Sequence, residues 1–248
     1  MKDVPADYYR RLDAAERSHW FHRGMEGIAV ALLGDRLSRR GLALLDAGCG
    51  SGGFLRFARG LGVFERLCGV DVSAEAIDLA RGELAGAELH VAALTAVPFE
   101  DGSFDVVTLN DVLQHVDEAE VEASLQELRR VLRPDGTLLV RTNGGLRPSR
   151  PRSDWRLYSR AALAAELARG GFRAERVTYA NLAVSTLRAA RGVTPKAPTE
   201  TTAGIPPPSG ALAAAVGSRL LELEARYLAR PGRTLPYGHT LFAVATPA

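Results

Sequence analysis

The stretch Leu44-Leu45-Asp46-Ala47-Gly48-Cys49-Gly50-Ser51-Gly52-Gly53 places a carboxylate immediately before a run of glycines. Glycine lets a backbone turn sharply and lets a ligand come close where a Cβ would stand in the way. A second carboxylate, Asp71, ends the next apolar run, where it is placed to accept hydrogen bonds from the two hydroxyls of a ribose. Gly48, Gly50 and Gly53 also fit the dinucleotide pattern G-x-G-x-x-G, a weak signal by itself. Asp46 separates the possible ligands. A pyrophosphate in this loop would meet a like charge, whereas a ligand with an amine and a sulfonium and no phosphate would be helped. S-adenosylmethionine therefore fits the electrostatics better than NAD. A role for Asp46 in bonding loop amides stays open, but it does not account for Asp71. No G-x-x-x-x-G-K-S/T run occurs, so a P-loop is excluded.

Elements must bring these groups together. From residue 42 short apolar runs alternate with amphipathic ones, and the pattern predicts strands at 42–46, 67–70, 89–92, 104–109, 137–141, 172–179 and 240–245. Helices are expected near 52–59, 73–84, 117–132, 161–169 and 211–228, with Ser73 and Ser159 as caps. Val121, Leu125, Leu128 and Leu132 form one stripe, and Arg133-Pro134-Asp135-Gly136 reads as a turn into the following strand. This alternation argues for a doubly wound parallel sheet. The first forty residues carry two helical runs, one through Tyr8, Leu12 and Ala15, the other through Ile28, Ala31 and Leu32. Between them lies the aromatic and imidazole-rich knot Ser18-His19-Trp20-Phe21-His22-Arg23-Gly24. The proline-rich stretch 192–210 reads as a mobile loop.

Four ordered blocks resemble the class I, seven-stranded S-adenosylmethionine-dependent methyltransferases over about residues 40–180. The glycine loop from Leu45 to Gly52 resembles their first motif, and Val70-Asp71-Val72-Ser73 their second. Val97-Pro98-Phe99-Glu100-Asp101-Gly102-Ser103-Phe104-Asp105-Val106-Val107 and Leu128-Arg129-Arg130-Val131-Leu132-Arg133-Pro134-Asp135-Gly136 resemble later blocks. The resemblance implies an α/β, Rossmann-like, mostly parallel seven-stranded sheet. It also implies an N-terminal helical lid (1–40), a cofactor-binding core (41–180), an insertion of loop plus helix (181–235) and a final core strand (236–248). S-adenosylmethionine is the implied cofactor and S-adenosylhomocysteine its product. The implied cofactor set is Asp46, Gly48, Cys49, Gly50, Gly52, Asp71 on the ribose, Val72 beside the adenine, and Asn110 and Asp111 after the fourth strand. One departure stands out: Ala93 occupies the place where the family often has an acid, so the adenine contact there rests on the backbone of Ala93 and Leu94.

Methyl transfer is an in-line displacement at an already activated carbon, so the protein mainly aligns the acceptor and keeps water out. His115 is expected as the base where the acceptor must lose a proton, against a reading in which it only orders its loop. His19, Trp20, Arg23, Trp155 and Tyr158 are the expected acceptor contacts. Trp20 reads more readily as a core anchor, His19 and Arg23 read either way, and Tyr237-Gly238-His239 reads as a simple turn. His19 and His22 lack a nearby acid or thiolate at helical spacing, so no metal is expected. Cys49 has no companion base and reads as a packing residue.

The chain has 248 residues, of which 31 are basic and 29 acidic. A formal net charge of +2 leaves no basic stripe for nucleic acid, and the expected substrate is a small polar molecule methylated on oxygen or nitrogen. Two cysteines are too few for a disulfide framework. No apolar run reaches the roughly 18 residues of a membrane span, so a cytoplasmic protein without membrane partners is expected. An NAD-dependent oxidoreductase and a non-catalytic cofactor-binding protein are the competing readings.

Overall fold

The structure is a computed structural model that describes residues 7–145, 156–190 and 210–248. Two helices open the chain, α1 (Tyr8–Ser18) and α2 (Trp20–Leu33), followed by β1 (Leu42–Ala47), α3 (Gly53–Leu61), β2 (Phe64–Asp71), α4 (Ala74–Glu83), β3 (Glu88–Val91) and β4 (Phe104–Asn110). Then come α5 (Glu118–Val131), β5 (Leu132–Asn143), α6 (Arg160–Arg169), β6 (Phe172–Ala180), α7 (Leu182–Ala190), α8 (Ala211–Leu228) and β7 (Thr240–Pro247). The seven strands form one sheet in the order β3-β2-β1-β4-β5-β7-β6. Every pairing is parallel except those of β7, which runs antiparallel to both β5 and β6. The chain therefore has the Rossmann-like, mostly parallel seven-stranded sheet that the resemblance implies.

Burial follows from that order. All six residues of β1 are buried, because helices cover both faces of a central parallel strand. The reversal of strand order beside β1 opens a crevice at the carboxyl ends of β1 and β4, where open α/β sheets bind ligands.

Three local features depart from the sequence expectation. The second helix starts at Trp20, well before Ile28, because the Nδ1 of His19 accepts a hydrogen bond from the Phe21 amide at 3.2 Å and caps it. Gly24 does not break this helix. A Cβ there would lie 2.2 Å from Leu221 of α8, and one at Gly217 would lie 2.6 Å from the Trp20 ring, so the two glycines let α2 and α8 approach closely. The second departure is at residues 133–136, which form no free turn before β5. Phe104 pairs with Leu132 and Val106 with Thr137, so this segment bulges from a strand that has already begun. Pro134 has no N–H for the ladder. Asp105, buried, holds Arg133 at 2.6 Å and Arg39 at 2.7 Å beside the bulge. The third is α7, which was not expected. The buried carboxylate of Glu224 on α8 accepts from the amides of Asn181 (2.7 Å) and Ala183 (3.1 Å) and satisfies its first turn.

Candidate active site

β1 and β4 lie in register, with Asp46 opposite Thr108, and this pairing builds the floor of the site. Asp46 Oδ1 accepts from the Thr108 hydroxyl at 2.6 Å and from Asn110 Nδ2 at 3.2 Å. Its carboxylate is thus held by side chains of β4. Burial pushes the Asp46 carboxyl up to about 6, against the lowering effect of these two donors and of Arg141.

The glycine loop turns beside it. Gly48, Gly50 and Gly52 all have positive φ, a backbone state that side-chain-bearing residues rarely adopt. Gly48 N and Cys49 N donate to the Val70 carbonyl at 2.7 and 2.9 Å, which ties the loop to the end of β2. Asp71 completes the tie. Its Oδ2 accepts from Gly50 N and its Oδ1 from Ser73 N, both at 2.9 Å. Burial raises its carboxyl, and the amides of Ser73 and Gly50 work against that rise.

A cavity of about 660 Å³ lies above this floor, in the size range of small-molecule sites. Its wall includes Asp46, Gly48, Cys49, Gly50, Asp71, Val72, Ala93, Leu94, Asn110 and Asp111. Gly52 is not on the wall. Its left-handed conformation starts α3, and a Cβ there would meet Leu84 at 2.5 Å. Val72 is 64% exposed at the rim, an apolar surface open to a flat ring. Asp111 has φ of 56° and pairs with Arg141 at 2.8 Å, while its amide donates to the Arg141 carbonyl, so side chain and backbone bind the same residue. Cys49 is buried and its thiol is raised well above the ordinary value by burial, which leaves it in packing contact and unreactive.

Of the expected acceptor contacts, His19 and Trp20 stand on the wall, as does His115, the expected base. The His19 Nδ1 is an acceptor in its cap bond, so in the neutral ring Nε2 carries the proton. That Nε2 is buried and has no partner among the described residues. Arg23 stands outside the cavity, in a shallow neighbouring depression, with its guanidinium on the Arg17 carbonyl at 3.2 Å. Tyr158 is buried beside the end of β5, bridging to Gly144, and is absent from the wall, its phenol pushed up to about 12 by burial. Trp155 and the loop expected at 192–210, Gly210 excepted, lie outside the described residues. His239, expected as part of a turn, lines the cavity. Among the described residues no group of three histidine, cysteine or acidic side chains is placed to hold a metal.

The sequence reading missed most of the wall contributed by the first two helices and α7. Tyr8, Tyr9 and Glu16 of α1, Glu26 of α2, Arg141 and Asn181 all line the cavity. Burial pushes both Glu16 and Glu26 up to about 7. A signal for these two was present: each glutamate falls beside the apolar stripe of its helix, where a charge is unexpected.

Residues 45–140 match the family model described as a methyltransferase domain. Malonyl-[acyl-carrier protein] O-methyltransferase of Enterobacter lignolyticus (strain SCF1) is 36% identical over 114 residues, covering 46% of this chain and 44% of that protein. The 2-phytyl-1,4-naphtoquinone methyltransferase of Trichormus variabilis is 36% identical over 126 residues, covering 48% and 53%. The chain spans about half the length of these curated relatives. Geranyl diphosphate C-methyltransferase of Streptomyces coelicolor A3(2), crystallised with Mg2+, geranyl diphosphate and S-adenosyl-L-homocysteine, superposes with a TM-score of 0.59 at 19% identity, covering 100% of this chain and 86% of that one. Residues 45–140 are thus similar to a methyltransferase domain, and the curated relatives that match are methyltransferases. The likeness to the geranyl diphosphate C-methyltransferase, at 19% identity, is one of fold.

Proposed function

We propose that this chain is an S-adenosylmethionine-dependent methyltransferase acting on a small polar molecule, at oxygen or nitrogen. One observation carries the reading: the glycine loop, Asp46 and Asp71 open into the same cavity as His19 and His115. The residues suit this cofactor. Asn110 spends its amide nitrogen on Asp46, and its buried Oδ1 has no partner among the described residues, leaving an acceptor for the methionine end. Buried Asp46 offsets positive charge there. Asp71 retains lone pairs for ribose hydroxyls beyond the two amides it holds. Val72 and the backbone of Ala93 and Leu94 border the adenine.

When bound, the cofactor supplies a methyl group on a positively charged sulfur. The protein's own work is alignment and exclusion of water. Trp20, Phe21 and Met25 of α2 form an apolar roof. His115 is offered as the group that receives a proton from the acceptor's nucleophilic atom. The near-balance of basic and acidic residues supports a small molecule over a nucleic acid. His115→Ala tests the assignment: turnover should fall at least tenfold while affinity for S-adenosylhomocysteine stays within twofold. Unchanged turnover across pH 6–9 would remove His115 from that role.

A further inference from the structure

The cavity's charges can be accounted for one at a time. Asp46 is held by Thr108 and Asn110, Asp71 by two backbone amides, and Asp111 by Arg141. Glu16 bonds the Ser51 hydroxyl at 3.1 Å and lies 3.6 Å from Arg56. Glu26 is different. It is only 9% exposed, it faces the cavity, and it has no hydrogen-bond or ion-pair partner among the described residues. Arg141, Arg23 and Arg56 act on it only from a distance, and Arg23 and Arg56 share its second face, so its oxygens remain open to a cation or donor that enters the cavity.

For an anion, the wall offers the Nε2–H of His19 and one arginine among the described residues. Arg141 is the one arginine or lysine lining the cavity among the described residues; its guanidinium pairs with Asp111 and acts on Glu26 only through space. Trp20 lines the same cavity, and an indole face attracts cations. Asn181, also on the wall and 7% exposed, has a buried Oδ1 without a partner among the described residues, a second acceptor awaiting a donor.

We propose that Glu26 is the docking carboxylate for an ammonium group on the methyl acceptor, so that the substrate class is a basic amine with an apolar body. This rests on the methyltransferase reading and narrows it. Burial holds the Glu26 carboxyl up at about 7 without ligand, and a bound cation would return it toward its ordinary value.

The test is calorimetric, on protein saturated with S-adenosylhomocysteine, at pH 8, with 2-phenylethylamine, 2-phenylethanol and phenylacetate. The amine should bind at least tenfold more tightly than the alcohol, and phenylacetate should bind most weakly. Glu26→Gln should erase the amine's advantage while affinity for S-adenosylhomocysteine stays within twofold. The neutral amide relieves a buried charge, so a melting temperature no lower than the parent's would show that the fold is kept. The proposal is overturned if the alcohol or phenylacetate matches the amine, if none of the three binds, or if Glu26→Gln keeps the preference. A tenfold loss of S-adenosylhomocysteine affinity in Glu26→Gln would instead assign the carboxylate to the cofactor. Failure of the methyltransferase reading would show separately, as absent S-adenosylhomocysteine binding in the unaltered protein.

Discussion

Asp71 holds the Gly50 and Ser73 amides with its two oxygens, so one side chain both shapes the glycine loop and faces the cavity. Asp71→Ala should weaken S-adenosylhomocysteine binding more than tenfold, over about 1.4 kcal/mol, in a calorimetric titration. Unchanged affinity would remove Asp71 from the site. The buried carboxyls also set a pH dependence. Glu16, Glu26 and Asp46 sit above their ordinary values in the folded chain, to about 7, 7 and 6. Such groups bind protons more readily folded than unfolded, so they favour the fold as pH falls from about 8 toward 5. Glu88 and Glu127, lowered by Arg66 and Arg130, act oppositely, and their contribution is lost only at more acidic pH. The ligand-free protein should therefore melt higher at pH 6 than at pH 8, and Glu26→Gln should reduce that difference. A melting temperature that rises with pH over this interval would contradict the assignment.

At the scale of elements, the roof depends on the seam between α2 and α8. Gly24 and Gly217 admit Leu221 and Trp20 where a Cβ would collide. Gly217→Val should cost about 1–3 kcal/mol by overpacking and lower the melting temperature. Because Trp20 also lines the cavity, the same change should disturb ligand binding from a distance. Glu224→Ala should strip the Asn181 and Ala183 amides of their acceptor, at roughly 1–3 kcal/mol, and shift Asn181, whose φ of 65° needs outside support. An unchanged melting curve in either variant would count against this packing. The elements that the sequence exposed most clearly were those governed by local chemistry. Ser73 and Ser159 cap α4 and α6 through the Ala76 and Ala162 amides, and the expected 211–228 helix is α8. The glycine loop, Asp46 and Asp71 were legible for the same reason, since positive φ and a strand-end carboxylate leave local signatures. What escaped was set by tertiary contacts: α7 depends on a carboxylate 43 residues away, and Glu26 acquires meaning only from what surrounds it.

For the whole molecule, one edge of a single sheet collects residues from α1, α2, the glycine loop, the β2 and β4 ends and α7 around one cavity. Among the described residues no helix is long and apolar enough to cross a membrane. Everything proposed about function depends on what that cavity binds. The most direct test is calorimetric titration of the purified chain with S-adenosylhomocysteine, using NADH as the control ligand. Binding of S-adenosylhomocysteine at micromolar Kd with no heat from NADH is the expected result. NADH binding, or silence from both ligands, would contradict the account.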